Sequence, residues 1–179
     1  MPFEIEETEI PEVKIIKPKI FNDNRGYFLE FYKKNDFNNF NIKVKFPQDN
    51  LSFSKKGVIR GLHFQKHPYE QGKLVSVISG KIFDVAVDLR ENSKTFKKYV
   101  SIELSNENNK MFYIPEGFAH GFQALNDSYV MYKTTKEYNK DYDSGIIFND
   151  NEISIKWPIK DYIISEKDKK LKTLKEIFR

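Results

Sequence analysis

"GKLVSVISGKIFDVAVDLR" (residues 72–90) is built from two apolar, β-branched runs with Gly80 between them. Such residues suit a pleated surface, and a glycine between two runs marks a chain reversal, so the stretch predicts two strands turning as a hairpin at Gly80. The same texture recurs on both sides. Downstream lie "KYVSIELS" (98–105), "KMFYIP" (110–115), "GFQALNDSYVMYKTTKEY" (121–138) and "GIIFND" (145–150). Upstream lie "VIRGLHFQ" (58–65) and "YFLEFY" (27–32), the latter after the turn cluster "NDNRG" (22–26). "VKIIKPKIF" (13–21) reads as an edge strand interrupted by Pro18, and "VKFPQDNLSFS" (44–54) as a strand leading into an irregular stretch. "KKNDFNNFNI" (33–42) suits a short helix. The main helix expectation is "SEKDKKLKTLKEIF" (165–178), with Ser165 as cap and Leu171, Leu174 and Ile177 three apart. Many short strands at close spacing, without repeat or linker, predict a mainly β sandwich or closed barrel in a single domain, 1–179.

Composition narrows the function classes. The chain has 179 residues, enough for one sizeable core, and its 16 Phe and 10 Tyr favour strands. It has no cysteine, which excludes disulfides, thiolate metal sites and cysteine catalysis, and is compatible with a cytoplasmic location. "MPFEIEETEIPEVKII" (1–16) lacks the basic start and unbroken apolar core of a signal peptide, and no apolar run reaches membrane-spanning length. The net charge is +4, but basic and acidic residues are interspersed and no nucleic-acid motif is present, so neither a membrane nor a nucleic acid is the expected partner.

Chemistry-bearing residues stand where apolar ones would be expected. "GVIRGLHFQKH" (57–67) carries Arg60 and His63 inside a strand. Alternation would put these two on opposite faces, so if both line one cavity Gly61 should mark a bulge. Lys73 opens another strand, and Tyr132 and Lys133 sit inside a third. "PEGFAHG" (115–121) delivers His120 from a turn, and its Pro-x-Gly-x-x-His spacing is similar to the second box of the cupins, a jelly-roll superfamily. Metal-binding cupins carry a His-x-His pair in their first box. Here the corresponding strand reads His63-Phe64-Gln65, which argues against a metal. Histidine exchanges protons near neutral pH, tyrosine can return a proton to a carbanion, and lysine or arginine stabilises an enolate or binds a phosphate. Together they suit proton abstraction beside a carbonyl on an anionic substrate.

Longer motifs make the resemblance specific. "FNDNRGYFLEFY", "PQDNLSFSKKGVIRGLHFQ", "QGKLVSVISGKIFDVAVDLRENSKTF", "FYIPEGFAHGFQAL", "YKTTKEY", "IFNDNEISIKWP" and "ISEKD" run from about residue 13 to 168 in an order and spacing that resemble the dTDP-4-dehydrorhamnose 3,5-epimerase family. The resemblance implies a cupin-type jelly roll, no metal or organic cofactor, and a homodimer. It implies epimerisation at C3 and C5 of a dTDP-linked 4-keto-6-deoxy sugar, with His63 as base, Tyr132 as acid, Asp168 orienting His63, and Lys73 beside the C4 oxygen. It further implies that Arg60 and His120 bind around the sugar and diphosphate, that Gln48, Asp49 and Asn50 line the pocket, and that Tyr138 stacks on the thymine. Asp143 and Lys167 would contact substrate, and Arg25 and Glu30 would reach the nucleotide from the neighbouring subunit. Asp143 stands where glutamate is common, Phe148 where tryptophan is frequent, and Ser76 where a longer side chain is common. Two alternatives stay open: an epimerase of C3 or C5 alone or a ketoisomerase on another nucleotide sugar, and a non-catalytic nucleotide-sugar-binding jelly roll.

Overall fold

The structure, a computed structural model, describes residues 2–178. In chain order it forms β1 (Phe3–Glu7), β2 (Lys14–Pro18), β3 (Ile20–Asp23), β4 (Gly26–Leu29), α1 (Lys34–Asn39), β5 (Gln48–Ser54), β6 (Ile59–Gln65) and β7 (Lys73–Ser79). Then follow β8 (Lys81–Asp88), β9 (Tyr99–Ser105), β10 (Met111–Ile114), β11 (Phe118–Ala124), β12 (Ser128–Thr134), β13 (Asp143–Gly145) and α2 (Leu174–Ile177). A six-stranded sheet in the order β1-β2-β10-β7-β12-β5 faces a five-stranded sheet in the order β13-β6-β11-β8-β9, and β3-β4 forms a separate hairpin. From β5 to β13 the chain changes sheet at every step except β8 to β9, which is the jelly-roll way of building two sheets at once.

The layers explain the sequence texture. Between the sheets pack Val75, Val77, Ile82, Phe112, Phe122 and Val130. The outer face of the five-stranded sheet is covered by the C-terminal segment through Leu62, Val85, Val87, Ile153, Ile155 and Leu174. Beyond part of the six-stranded sheet, α1 contributes Phe37 to a third cluster with Phe3, Ile16, Leu74 and Met111. Strands covered on both faces read as continuous apolar runs rather than alternating ones, and β11 is buried at every position. Each large side chain taken wholly out of water there contributes roughly 1.5–3 kcal/mol.

The mainly β class holds, and several local expectations give way. Gly80 is not a hairpin turn, because β7 and β8 belong to different sheets. It is a sandwich corner: φ is +91°, and a Cβ there would lie 2.3 Å from the Asp127 carbonyl oxygen, so only glycine fits. β2 is not an edge strand, since it pairs with both β1 and β10, and Pro18 ends it opposite Phe3. Residues 44–54 run from irregular chain into a strand, the reverse of the expected order. Of the predicted strand at 145–150 only Gly145 lies within a strand, β13.

The long C-terminal helix is replaced by a strap along the five-stranded sheet. It forms isolated parallel bridges Val58–Ile163 and Ile146–Lys172, a 3-10 turn at Asp168–Lys170, and the single-turn α2. Ser165 caps no helix: its Oγ accepts from the Asp168 N–H at 3.0 Å, at the start of a 3-10 turn whose N-cap residue is Lys167. Glu176 accepts from the Thr173 N–H at 2.7 Å, and the buried Asp150 accepts from the Leu174 N–H at 2.8 Å. These tertiary partners outweigh the weak helix pattern of a lysine-rich segment. Among the described residues no helix is long and apolar enough to cross a membrane.

Candidate active site

The pocket begins with a local irregularity in β6. His63 lies opposite His120 and Arg60 opposite Phe122, so β6 spends two residues, Gly61 and Leu62, where β11 spends one. Gly61 has φ +127°, and a Cβ on it would fall 2.5 Å from the Cα of Gly121. This bulge returns Arg60 and His63 to one face, the face of His120 and Phe122, although of the two only His63 lines the cavity.

The opposite wall comes from register in the six-stranded sheet. One cross-strand row reads Asn50, Tyr132, Val75, Phe112, and the next reads Gln48, Thr134, Lys73, Ile114. Each row is apolar toward β10 and polar toward β5. The inter-sheet core therefore passes into a polar cavity at the β5 end without any change of strand architecture. The cavity holds about 310 Å³ and is lined by His63, Phe64 and Gln65 from β6, Gln48 and Asn50 from β5, Gln71, Lys73, Tyr132, Tyr138, Asp143 and Lys167.

His63 and Asp168 meet although 105 residues separate them, with Nε2 and Oδ1 2.9 Å apart. A carboxylate only accepts, so the imidazole donates through Nε2 and Nδ1 is left as the basic nitrogen. The other Asp168 oxygen accepts from the Gly61 N–H at 3.3 Å, tying the strap to the bulge. Burial works to raise the Asp168 pKa, but the hydrogen bond and charge of His63, with help from Gly61 and Lys167, hold it below the ordinary carboxylate range.

A second pair lies under the floor. His120 donates through Nε2 to Asp84 Oδ1 at 2.6 Å, and both side chains are buried. Burial pushes the His120 pKa down, the more so beside Lys73 and His63, while Asp84 opposes. Lys73 is buried as well. Desolvation lowers its pKa to about 8, against the pull of Asp84 and Asp143. Burial raises the Tyr132 phenol, and the Arg60 charge partly offsets this.

The remaining expected residues divide by position. Arg60 is anchored on β5, donating from Nε to Ser54 Oγ and from its guanidinium to the Phe53 carbonyl oxygen, both at 2.9 Å. Tyr138 stands at the rim, its N–H bonded to Gln48 Oε1 at 2.8 Å. Asp143 pairs with Lys167 at 2.5 Å. Asp49 does not line the pocket: alternation turns it to the outer face of β5, where it pairs with Lys133 at 2.9 Å. His120 lies beneath the lining rather than in it. Arg25, on the exposed β3-β4 hairpin and paired with Asp23, and Glu30, just after it, are not brought to this cavity within one chain. Gln65, where metal-binding cupins carry histidine, serves as a brace. It accepts from the Asn139 N–H at 2.7 Å and donates to the Tyr69 carbonyl at 3.1 Å.

Sequence reasoning passed over Asp84, Gln71 and Phe64. Asp84 had a readable signal, an acid at the centre of the apolar run "KIFDVAV".

Comparison with known proteins accords with this arrangement. The family profile of dTDP-4-dehydrorhamnose 3,5-epimerase matches residues 7–176. A protein of that name from Methanothermobacter thermautotrophicus is 49% identical over 178 residues, covering 97% of this chain and 96% of its own. The crystal structure of the Sulfolobus tokodaii enzyme superposes with a TM-score of 0.93 at 50% identity, over 98% of this chain and 97% of that one. The dTDP-6-deoxy-D-glucose-3,5-epimerase of Legionella pneumophila, solved with dTDP-4-keto-L-rhamnose, gives a TM-score of 0.95 at 44% identity, over 98% and 94%. With fold, motif order and identity agreeing along nearly its whole length, this chain belongs to the dTDP-4-dehydrorhamnose 3,5-epimerase family.

Proposed function

We propose that the chain epimerises C3 and C5 of dTDP-4-dehydro-6-deoxy-D-glucose, giving dTDP-4-dehydro-L-rhamnose. The observation that carries this reading is the placement of His63 and Tyr132 in one cavity, on facing sheets, with Lys73 at its floor. The C4 ketone acidifies the hydrogens on both adjacent carbons. His63 Nδ1 takes the proton from C3, and the electron pair of that C–H bond moves into an enolate on the C4 oxygen. Lys73 stabilises this oxygen. Tyr132, on the other wall, returns a proton to the opposite face of C3, and the C4 carbonyl re-forms with C3 inverted. His63 then gives its proton to water and Tyr132 takes one back from water, and with both groups reset C5 follows by the same steps. The ketone is the electron sink, so the reaction needs no redox cofactor. Asp168 fixes the tautomer of His63 and stabilises the imidazolium.

Gln48, Asn50, Arg60, Tyr138, Asp143 and Lys167 surround the nucleotide and diphosphate in this reading. The working unit is a homodimer in which Arg25 and Glu30 complete the partner's nucleotide site. Two exposed apolar groups support that assembly: Phe21, Tyr27 and Phe28 on the β3-β4 hairpin, and Leu51, Phe53, Tyr129 and Ile78 around β5, β12 and β7. The absence of cysteine is compatible with a cytoplasmic setting for this reaction. Sedimentation velocity should give a dimer, and a monomer would remove Arg25 and Glu30 from the site.

The direct test incubates the protein with the 4-keto sugar nucleotide in heavy water and reads deuterium at C3 and C5 by NMR. Label at both carbons, lost in His63→Ala and with turnover suppressed in Tyr132→Phe, is the expected result. Label at C3 alone would make the protein a 3-epimerase. No label in a folded, dTDP-binding protein would sink the reaction.

A further inference from the structure

Asp84 is a fully buried carboxylate in the middle of β8, and the mechanism above gives it no task. Its Oδ1 accepts from His120 Nε2 at 2.6 Å and from the Val85 N–H at 3.2 Å. Its Oδ2 is buried and makes no hydrogen bond to any described residue. A buried carboxylate oxygen left in that state is costly unless a positive charge faces it. Lys73, also buried, feels the charge of Asp84 without forming an ion pair with it. Lys73 is also faced by His120 from β11, Tyr132 from β12, whose ring centre is 6.0 Å from Nζ, Asp143 from β13, and across the cavity by His63 from β6. Of these groups Asp84 and Asp143 are acidic, and Asp143 is already paired with Lys167.

We propose that Asp84 is the positioning residue of the pocket floor: held on one oxygen by His120, it presents the other to Lys73 and keeps that side chain an ammonium directed at the bound sugar. His120, itself beneath the lining, then fixes the carboxylate from below. The inference rests on the reading of Lys73 as the group beside the C4 oxygen. Burial alone takes Lys73 toward the neutral amine, with a pKa of about 8, and the neutral amine is a poor stabiliser of an enolate. Asp84 opposes that loss of charge.

The test separates this proposal from the reaction itself. Asp84→Asn keeps shape and an acceptor for His120 but removes the charge. In the unliganded protein labelled with [13Cε]lysine, the Lys73 signal, assigned by its loss in Lys73→Gln, should titrate about one pH unit lower in Asp84→Asn than in wild type. This readout needs no turnover, so it stands even if the substrate is another sugar. In the exchange assay, the alkaline limb of kcat should move down by the same interval, with KM within about twofold and activity recovered toward pH 6. Asp84→Glu should restore the wild-type limb. A purely structural Asp84 would lower kcat equally at every pH and leave the Lys73 titration in place, and either result overturns the proposal. If Asp84→Asn does not fold, Asp84→Ser is read in the same way.

Discussion

Among the described residues, two histidine–aspartate pairs lie on one face of one sheet, made in the same way and placed in different surroundings. In each, imidazole Nε2 donates to a carboxylate oxygen, at 2.9 Å in His63–Asp168 and 2.6 Å in His120–Asp84. The two histidines sit directly opposite each other on β6 and β11. Side-chain exposure separates them: 32% for His63 but 8% for His120, and 6% and 0% for the respective aspartates. The bulge at Gly61 carries His63 to the cavity wall, whereas unbroken β11 keeps His120 between strands. Hydrogen-bonding pattern alone therefore does not mark a general base. The ring must also present its second nitrogen to a space that a substrate can enter.

The strongest way to break this comparison is to truncate each histidine and compare what is lost. His63→Ala should reduce exchange at C3 and C5 by about 1,000-fold or more. Its melting temperature should fall less than that of His120→Ala, because the ring is a third exposed and Asp168 keeps the Gly61 N–H. A variant that kept a tenth of the activity would move the base elsewhere. His120→Ala should reverse the pattern. It strips the buried Asp84 of its side-chain partner, and a carboxylate so exposed to the interior costs about 3 kcal/mol of stability. Urea unfolding reads this directly, and a midpoint unchanged from wild type would show that the lower pair is not structural.

Asp168→Asn sharpens the comparison within the upper pair. The amide keeps size and can still meet His63, but it no longer fixes the tautomer or balances an imidazolium. Turnover should fall on the order of 100-fold with KM little changed. An equal rise in KM would assign Asp168 to substrate binding instead.

How much of this was legible depends on the range of the interaction. The β class, the bulge at Gly61 and the set His63, Lys73 and Tyr132 could be read locally, because a charged or aromatic polar side chain in an apolar strand stands out from its neighbours. The pairing of strands could not. Gly80 has the neighbours of a hairpin turn, and nothing within ten residues reports that β7 and β8 join different sheets. The C-terminal helix failed for the same reason: Asp150 and the edge of β6 hold that segment, and neither is near it in sequence. Asp168 was assigned by motif order, and its distance to His63 came only with the fold. Asp49 followed the motif too closely, since strand alternation already separated it from Gln48 and Asn50.

The smallest expected effect is a slope. Burial holds the His120 pKa below its ordinary value of about 6.5 in the folded protein, whereas in the unfolded chain the ring titrates normally. Below that value the unfolded state binds the extra proton first, so stability is full above about pH 6.5 and declines as pH falls through the folded pKa. The decline comes from the lower pair, because its ring is sealed from water and lies beside the charge of Lys73, which together outweigh the attraction of Asp84. A His120→Gln variant, which keeps a donor for Asp84 but cannot titrate, should lose less stability than wild type between pH 7.5 and pH 5 in parallel urea curves. Parallel slopes in the two proteins would mean that His120 can be protonated in place. The floor of the pocket would then be open to protons, and the division between a reactive upper pair and a sealed lower one would fail.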